Sequence, residues 1–326
     1  MKYPWISNLY KSSLYLALSI LSVGLFAQTY PDHPISLIVP NPPGGLVDTS
    51  ARLVSEPLGR LLNQTVIVDN KPGGSGNVAY QQVARGPKDG YSILVSYSGY
   101  HVANPILTEK LPWALKDLTP IGLVTISTNL IAVHPSVPVN NLKEFIAYLK
   151  ANPGKLNYAS QGNGSVSHIG TEIFKQQTGT DMVHVPYKGS GAAIQDVLAG
   201  QVQVFISTPP SLMGHVQTGK LKALAVTGKS RHPLLPNVPT VAEAGLPSFQ
   251  LESWVALYVA SGTPAAIINK LTTELKKSLE LPEVKQRADQ AGVELRYLAP
   301  NQMTNLLNSD IKAWSQAIKA ADIKLD

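Results

Sequence analysis

The chain has 326 residues, no cysteine, and 27 Lys and Arg against 21 Asp and Glu, for a formal net charge of +6. Disulfide scaffolds, thiolate metal sites and cysteine nucleophiles are thereby excluded, and the mild positive excess forms no arginine-rich run or aromatic–basic alternation of the kind nucleic acid selects. Lys2, Lys11, the apolar run 14–26 and Leu25-Phe26-Ala27 have the layout of a secretory signal peptide, with cleavage expected near Ala27 and export to the periplasm. Its apolar core is short against the ~20 residues a membrane span needs. Removing Lys2 and Lys11 leaves 27 − 2 = 25 bases against 21 acids, a charge of +4. The remaining ~300 residues can bury a core and are enough for two domains.

In chain order, residues 35–39 read as a strand. Val47, Ala51, Val54, Leu58 and Leu61 then recur at helical spacing, so the segment between them is a strand-to-helix loop. In that loop Pro40, Pro42 and Pro43 carry no amide hydrogen, while Gly44 and Gly45 permit close approach to the backbone. Amides at a helix start, with the positive end of its dipole, suit a carboxylate or phosphate. Further strands are expected at 65–69, 92–96, 118–126 and 130–134, with a helix at 76–85. A helix at 142–151 follows, capped by Asn140 or Asn141 and stopped by Asn152-Pro153-Gly154.

The opening pattern then returns twice. Strand 156–159 leads through the glycine–serine loop 160–165 into helix 167–177, and strand 182–186 leads through Tyr187-Lys188-Gly189-Ser190-Gly191 into a helix carrying Ile194, Val197 and Leu198. Strands at 202–206, 221–226 and 254–259, an irregular proline-rich segment at 232–249, and helices at 265–279 and 300–321 complete the chain. Repeated β-loop-α units argue for an α/β fold with mainly parallel sheets flanked by helices, and ligands of such sheets sit at the carboxyl ends of the strands. Ser96 and Ser98, and Ser207 and Thr208, stand at two such strand ends and are candidate hydrogen-bond donors.

Several motif matches fail on context. Gly74-Ser75-Gly76-Asn77-Val78-Ala79 fits a dinucleotide fingerprint, but Lys71-Pro72-Gly73 separates it from its strand. Gly214 to Lys220 has P-loop spacing, but Leu221 stands where a metal-binding hydroxyl is needed. His101, His168, His184 and His215 lack metal-ligand spacing, so neither metal nor cofactor is expected. Gly164-Ser165-Val166-Ser167-His168 lacks the second glycine of a nucleophile elbow, which leaves an exported hydrolase using Ser165 or Ser167 with His168 as a rival reading. An envelope protein without a small-molecule ligand is a second rival.

Taken together, one set of motifs is specific. It comprises Pro42-Pro43-Gly44-Gly45 with Asp48, Asp69-Asn70-Lys71-Pro72-Gly73-Gly74 with Gly76, Pro87-Lys88-Asp89-Gly90-Tyr91, and Asn152-Pro153-Gly154-Lys155-Leu156. It continues in His184-Val185-Pro186-Tyr187-Lys188-Gly189, Gly219-Lys220-Leu221-Lys222-Ala223-Leu224-Ala225-Val226, Pro236-Asn237-Val238-Pro239-Thr240, and Gly262-Thr263-Pro264. With these the chain resembles the periplasmic solute receptors of tripartite tricarboxylate transport systems, the TctC or Bug-type family, along its whole mature length. The resemblance implies a two-lobed, Venus-flytrap receptor and not an enzyme, with lobe 1 at 28–126 plus 251–326 and lobe 2 at 127–250. A small organic carboxylate as ligand, membrane permease subunits as partners and a monomeric state are expected with it.

By the same resemblance the loops at 42–48 and 160–168 would close on the ligand. Candidate contacts are Asn41, Pro43, Gly44, Gly45, Leu46, Asp48, Ser96, Ser98, Gly162, Gly164, Ser165, His168, Lys188, Ser207 and Thr208. The loops contain no arginine, so amides, hydroxyls and bridging waters would hold the carboxylate. Family loops often have an aromatic residue where Asn41 stands and small or hydroxyl residues at 46 and 47. Leu46 and Val47, if they line the cleft, favour an aromatic or apolar-chain acid over citrate.

Overall fold

The computed structural model describes residues 30–320 and Ile323. The expected signal peptide lies outside the described residues. The chain divides into a short N-terminal unit, 1–32, whose described residues 30–32 form neither helix nor strand, and a compact unit, 33–326. No helix among the described residues is long and apolar enough to cross a membrane.

Two sheets organise the larger unit. The first has the order β11-β4-β10-β3-β1-β2, with β1 Ile35–Val39, β2 Val66–Asn70, β3 Ser92–Tyr97, β4 Leu118–Thr128, β10 Glu252–Ala260 and β11 Glu294–Leu295. The second has the order β7-β6-β8-β5-β9, with β5 Leu130–Val133, β6 Asn157–Ser160, β7 Val183–Pro186, β8 Val204–Ser207 and β9 Lys222–Val226. The helices are α1 Leu46–Leu62, α2 Asn77–Ala84, α3 Ser98–Leu107, α4 Leu142–Ala151, α5 Val166–Thr178, α6 Ser190–Leu198, α7 Pro209–Gln217, α8 Ala265–Glu280, α9 Pro282–Ala291 and α10 Pro300–Ala320.

The α/β class with helix-flanked sheets is as expected, but the sheets are mixed where mainly parallel ones were anticipated. Parallel ladders join β1 to β2 and β3, and β6 to β7 and β8, which are the products of the βαβ crossovers. The antiparallel pairings of β10 with β3 and β4, and of β5 with β8 and β9, come from the strands that carry the chain from one sheet to the other. β4 runs into β5 with only Asn129 between them. A strand leaving one sheet and a strand returning to it run in opposite directions, so they pair antiparallel.

At this junction a buried polar clasp replaces an apolar core. The Asn129 amide donates to Thr227 Oγ1 at 2.9 Å, and the Asn129 side chain donates to Leu251 O at 3.0 Å. Thr227 Oγ1 in turn donates to Leu251 O, and its own amide donates to Asn129 O. Asn129 and Thr227 are fully buried, so the clasp has no water to fall back on.

Each sheet has its own apolar packing. Ile35, Leu37, Val39, Ile93, Val95 and Leu257 are buried in the first, and Ala132, Ala159, Val197, Phe205, Leu212 and Leu221 form a cluster around the second. Full burial of one such aliphatic side chain contributes about 1.5–3 kcal/mol. Ala103, Ile169 and Ile318 form a smaller cluster joining α3, α5 and α10.

Helices α3, α7 and α9 were not anticipated, and each carries a proline. Pro105 sits in the last turn of α3, and Pro209, Pro210 and Pro282 occupy first-turn positions, where a missing amide hydrogen costs no helix bond. Asn141 caps α4 as expected, its side chain accepting from the Glu144 amide at 2.9 Å.

Candidate ligand cleft between the sheets

Six helices begin where strands of the two sheets end, and the starts of α1 and α3 meet those of α6 and α5. α1, α2 and α3 belong to the first sheet, and α5, α6 and α7 to the second. Glycines stand at the closest crossings. A Cβ on Gly45 would lie 2.8 Å from Ser190 Oγ, and one on Gly99 would lie 3.0 Å from the Val166 amide nitrogen. At Gly189, where φ is +111°, a Cβ would meet the Pro42 ring at 2.8 Å. Polar bonds cross the same gap: Ser75 Oγ donates to Asn163 O at 3.0 Å, and the Tyr97 phenol reaches Gln161 Oε1 at 3.4 Å and the Val166 amide.

On the first-sheet side, Asp48 fixes the loop before α1. Its carboxylate accepts from the Gly44 amide at 3.1 Å, from Arg52 Nε at 3.0 Å and from Asn70 Nδ2 at 3.1 Å. Desolvation works against the charge, but these donors outweigh it and hold the carboxyl below its ordinary range. Asp48 and the Gly44 amide are therefore committed to each other. The amides of Leu46 and Val47, in the first turn of α1, have no carbonyl to bond within their own helix. Pro43 and Gly44 are exposed, whereas Asn41, Gly45, Leu46 and Val47 are buried. Asn41 donates to Tyr100 Oη at 3.2 Å, and burial pushes the Tyr100 phenol up to about 12.

Ser96 is wholly buried and engaged with Tyr80 Oη at 2.9 Å and His101 Nδ1 at 2.8 Å, away from the facing helix starts. His101 stacks on Tyr258, and burial alone pushes its imidazole down to about 3. Ser98 opens α3 and accepts from the Trp254 amide at 3.1 Å.

On the second-sheet side, the loop 160–168 is self-tied. Ser165 caps α5 by accepting from the His168 amide, donates its proton to Gly162 O at 2.6 Å, and meets Ser167 Oγ at 3.0 Å. That hydroxyl has one proton and it is spent on a carbonyl, so Ser165 is not set up as a nucleophile. His168 Nδ1 accepts from the Gly164 amide at 3.2 Å, and its ring lies flat on His184 at 4.1 Å. Ser207 accepts from Gln161 Nε2 at 3.1 Å, linking β8 to the residue that Tyr97 reaches. Lys188 is exposed on the β7–α6 loop.

Four polar atoms in these loops are buried and have no partner: Asn41 Oδ1, Asn163 Oδ1, Thr208 Oγ1 and Ser211 Oγ. Buried polar atoms are normally satisfied, so such a group needs a reason. Among the described residues Asp48 is the only buried Asp, Glu, Lys or Arg. The cleft thus presents helix starts, amides and hydroxyls without a buried cation. It can hold an anion only through hydrogen bonds and the aligned dipoles. No group of three or more His, Asp or Glu side chains among the described residues could hold a metal. A second concavity, of about 660 Å³, lies elsewhere, at the junction of the sheets, lined by Thr128, Lys229, His232, Glu252, Gly292 and Glu294.

A family model for the tripartite tricarboxylate transporter family receptor matches residues 50–323. The chain belongs to this family. A solved structure described as a periplasmic transporter is 36% identical, covers 91% of this chain and 100% of its own, and superposes with a TM-score of 0.88. The Rhodopseudomonas palustris protein Rpa4515, solved with adipate, is 32% identical over 90% of this chain and 99% of its own, with a TM-score of 0.87. Protein BugT of Bordetella pertussis is 32% identical over 96% of each chain. Membership places the chain among periplasmic solute-binding receptors and not among enzymes, and the family's fold is the two-sheet periplasmic-binding-protein fold described above.

Within this TctC receptor, the glycine loop at 42–48 meets the β7–α6 loop, Gly45 against Ser190 and Pro42 against Gly189, while the loop at 160–168 meets Ser75, Tyr97 and Gly99 and holds Ser207 through Gln161. Ser96 and Asp48 stand behind these contacts as supports. Sequence reasoning missed Tyr97, Tyr100, Gln161, Asn163, Ser190 and Ser211. Ser190 lies in a loop singled out for its glycines. Ser211 was hidden with α7 behind Pro209-Pro210.

Proposed function

We propose that this chain captures a small organic carboxylate in the interlobe cleft and presents it to the permease subunits of a tripartite tricarboxylate transporter. The observation that carries the reading is the convergence of helix starts from both sheets on a region without a buried Lys or Arg. A carboxylate has the charge sign and the acceptors such a region requires, while a cation would meet the wrong end of each helix dipole. The lobes would be residues 28–126 plus 251–326 and residues 127–250. Support comes from the chain passing between sheets at Asn129 and again between β9 and β10. The receptor acts as an exported monomer after cleavage near Ala27.

Amides of Leu46 and Val47 face the carboxylate, with Asn41, Gly45, Ser98, Gly162, Gly164 and His168 around it. Adipate in a relative of 32% identity favours an acid with an apolar body over citrate, and Leu46 and Val47 would add to that preference where their side chains reach the ligand. A ligand touching both loops draws the lobes together, because only differential contact can shift that equilibrium.

A thermal-shift screen of organic acids tests the reading. A ligand at about a hundred times its Kd stabilises the native state by about 2.7 kcal/mol. Benzoate, phthalate or adipate is expected to raise the melting temperature more than citrate or glutamate. Stabilisation by citrate alone would overturn the preference, and stabilisation by no acid would overturn the receptor reading.

A further inference from the structure

The start of α7 differs from the other helix starts at the cleft. Its first two residues are Pro209 and Pro210, which have no amide hydrogen, and the next amide, that of Ser211, donates to Thr208 O at 3.1 Å. Two of the first-turn amides that serve anions at ordinary helix starts are therefore missing here, and a third is engaged. Two hydroxyls stand in their stead. Thr208 occupies the capping position but makes no capping bond, because the amides such a hydroxyl usually accepts from are absent or committed. Its Oγ1 and Ser211 Oγ, three residues on and so on the same side of the first turn, are both buried and unpartnered. Thr208 is 1% and Ser211 8% exposed. α7 packs against α1, the helix whose start faces the second sheet, and the neighbouring Ser207 already belongs to the bridge through Gln161 to Tyr97.

We propose that Thr208 and Ser211 form a second subsite of the cleft, one that takes a second carboxylate of the ligand and makes this receptor selective for dicarboxylates. The proposal rests on the carboxylate-receptor reading and adds the chemistry of the ligand's far end. Two hydroxyls can donate two hydrogen bonds, and a carboxylate is acceptor-only, with two oxygens to receive them. The positive end of the α7 dipole favours the negative charge, and the nearest buried acid, Asp48, is neutralised by Arg52 and its other donors. An alkyl terminus would bury both hydroxyls unsatisfied, and an ammonium would meet the helix dipole at its unfavourable end. The two ends of the cleft thus differ in kind. The α1 end uses backbone amides, which side-chain substitution does not alter, and the α7 end uses side chains, which makes it the selective one.

Calorimetric titration of the full mature chain with two matched pairs, adipate against hexanoate and phthalate against benzoate, tests this. The dicarboxylate of at least one pair is expected to bind about tenfold or more tightly than its monocarboxylate. Thr208→Val, which keeps the side-chain shape and removes no capping bond, and Ser211→Ala are each expected to weaken that dicarboxylate about tenfold. The monocarboxylate should stay within about twofold. Melting curves of both variants show whether they fold, and either one suffices. Equal binding within each pair, or unchanged dicarboxylate affinity in the folded variants, overturns the subsite while leaving the receptor reading intact. Absence of binding by all four acids overturns both.

Discussion

Gly45→Ala isolates closure of the cleft from the folding of its two halves. Gly45 has φ −103° and ψ −179°, an extended conformation open to any residue, so alanine introduces no backbone strain. Only the loss of a good capping residue, roughly 0.5–1 kcal/mol, is expected in the separate lobe. In the closed arrangement the new Cβ would stand 2.8 Å from Ser190 Oγ, whereas ordinary contact begins at 3.4 Å, so either the Ser190 hydroxyl turns to another rotamer or the facing helix starts part by about 3.4 − 2.8 = 0.6 Å. Overpacking of this size costs about 1–3 kcal/mol. If ligand binds the closed form, its apparent Kd rises by the same factor as the closed population falls, about 5- to 150-fold. Isothermal titration with whichever acid binds the parent chain most tightly measures it. Ser190→Ala removes the offending oxygen, so the double variant Gly45→Ala/Ser190→Ala should recover most of the affinity. Undiminished affinity in Gly45→Ala, or a loss that Ser190→Ala fails to relieve, would refute the reasoning.

His101 and His184 are both pushed down to about 3, chiefly by burial, so the native state binds fewer protons than the unfolded state between pH ~3 and ~6.5. Stability should fall as pH drops through that window, by at most about 1.4 kcal/mol per pH unit for each histidine. His101→Phe, which keeps a ring against Tyr258, should reduce the slope in urea midpoints, leaving the share of His184 and of His232, which burial also pushes down, and an unchanged slope would show that His101 is not the proton acceptor. Thr227→Val leaves the buried Asn129 amide without its acceptor and should cost about 1–3 kcal/mol in urea unfolding; an unaltered midpoint would mean the clasp at the junction of the sheets contributes nothing. Lys188→Met should leave affinity for every acid within about twofold, since the side chain is exposed, and a tenfold loss would make Lys188 a ligand contact.

Much of the cleft was legible because its chemistry is written in local sequence. Pro42-Pro43-Gly44-Gly45 ahead of a helical stripe, and Gly162, Gly164 and Ser165 ahead of another, are turn-and-cap patterns whose geometry depends on nearby residues. What escaped depends on distant ones. That Asp48 would also hold Asn70, 22 positions on, or that Ser96 would turn inward to Tyr80, 16 positions back, follows from packing across the first sheet. Tyr97 sits next to a residue singled out for its hydroxyl, yet its own reach to Gln161 spans 64 positions of sequence. The prolines misled in one consistent way. They read as breaks, whereas Pro209, Pro210 and Pro282 start helices. The mixed character of the sheets was hidden because strand direction in β4, β5 and β10 is set by where the chain crosses between sheets, not by side-chain pattern.

The central claim is that amides at the facing helix starts hold a carboxylate between the lobes. Nitrogen–proton correlation spectra of the labelled chain, titrated with the tightest acid of the screen and in parallel with its uncharged amide analogue, test it residue by residue. The amides of Leu46 and Val47, together with those at the starts of α5 and α6, should shift first and saturate together with the acid, and should not move with the analogue. Shifts confined to residues 228–234 and 292–296, around the concavity at the junction of the sheets, or equal shifts with the uncharged analogue, would contradict the account.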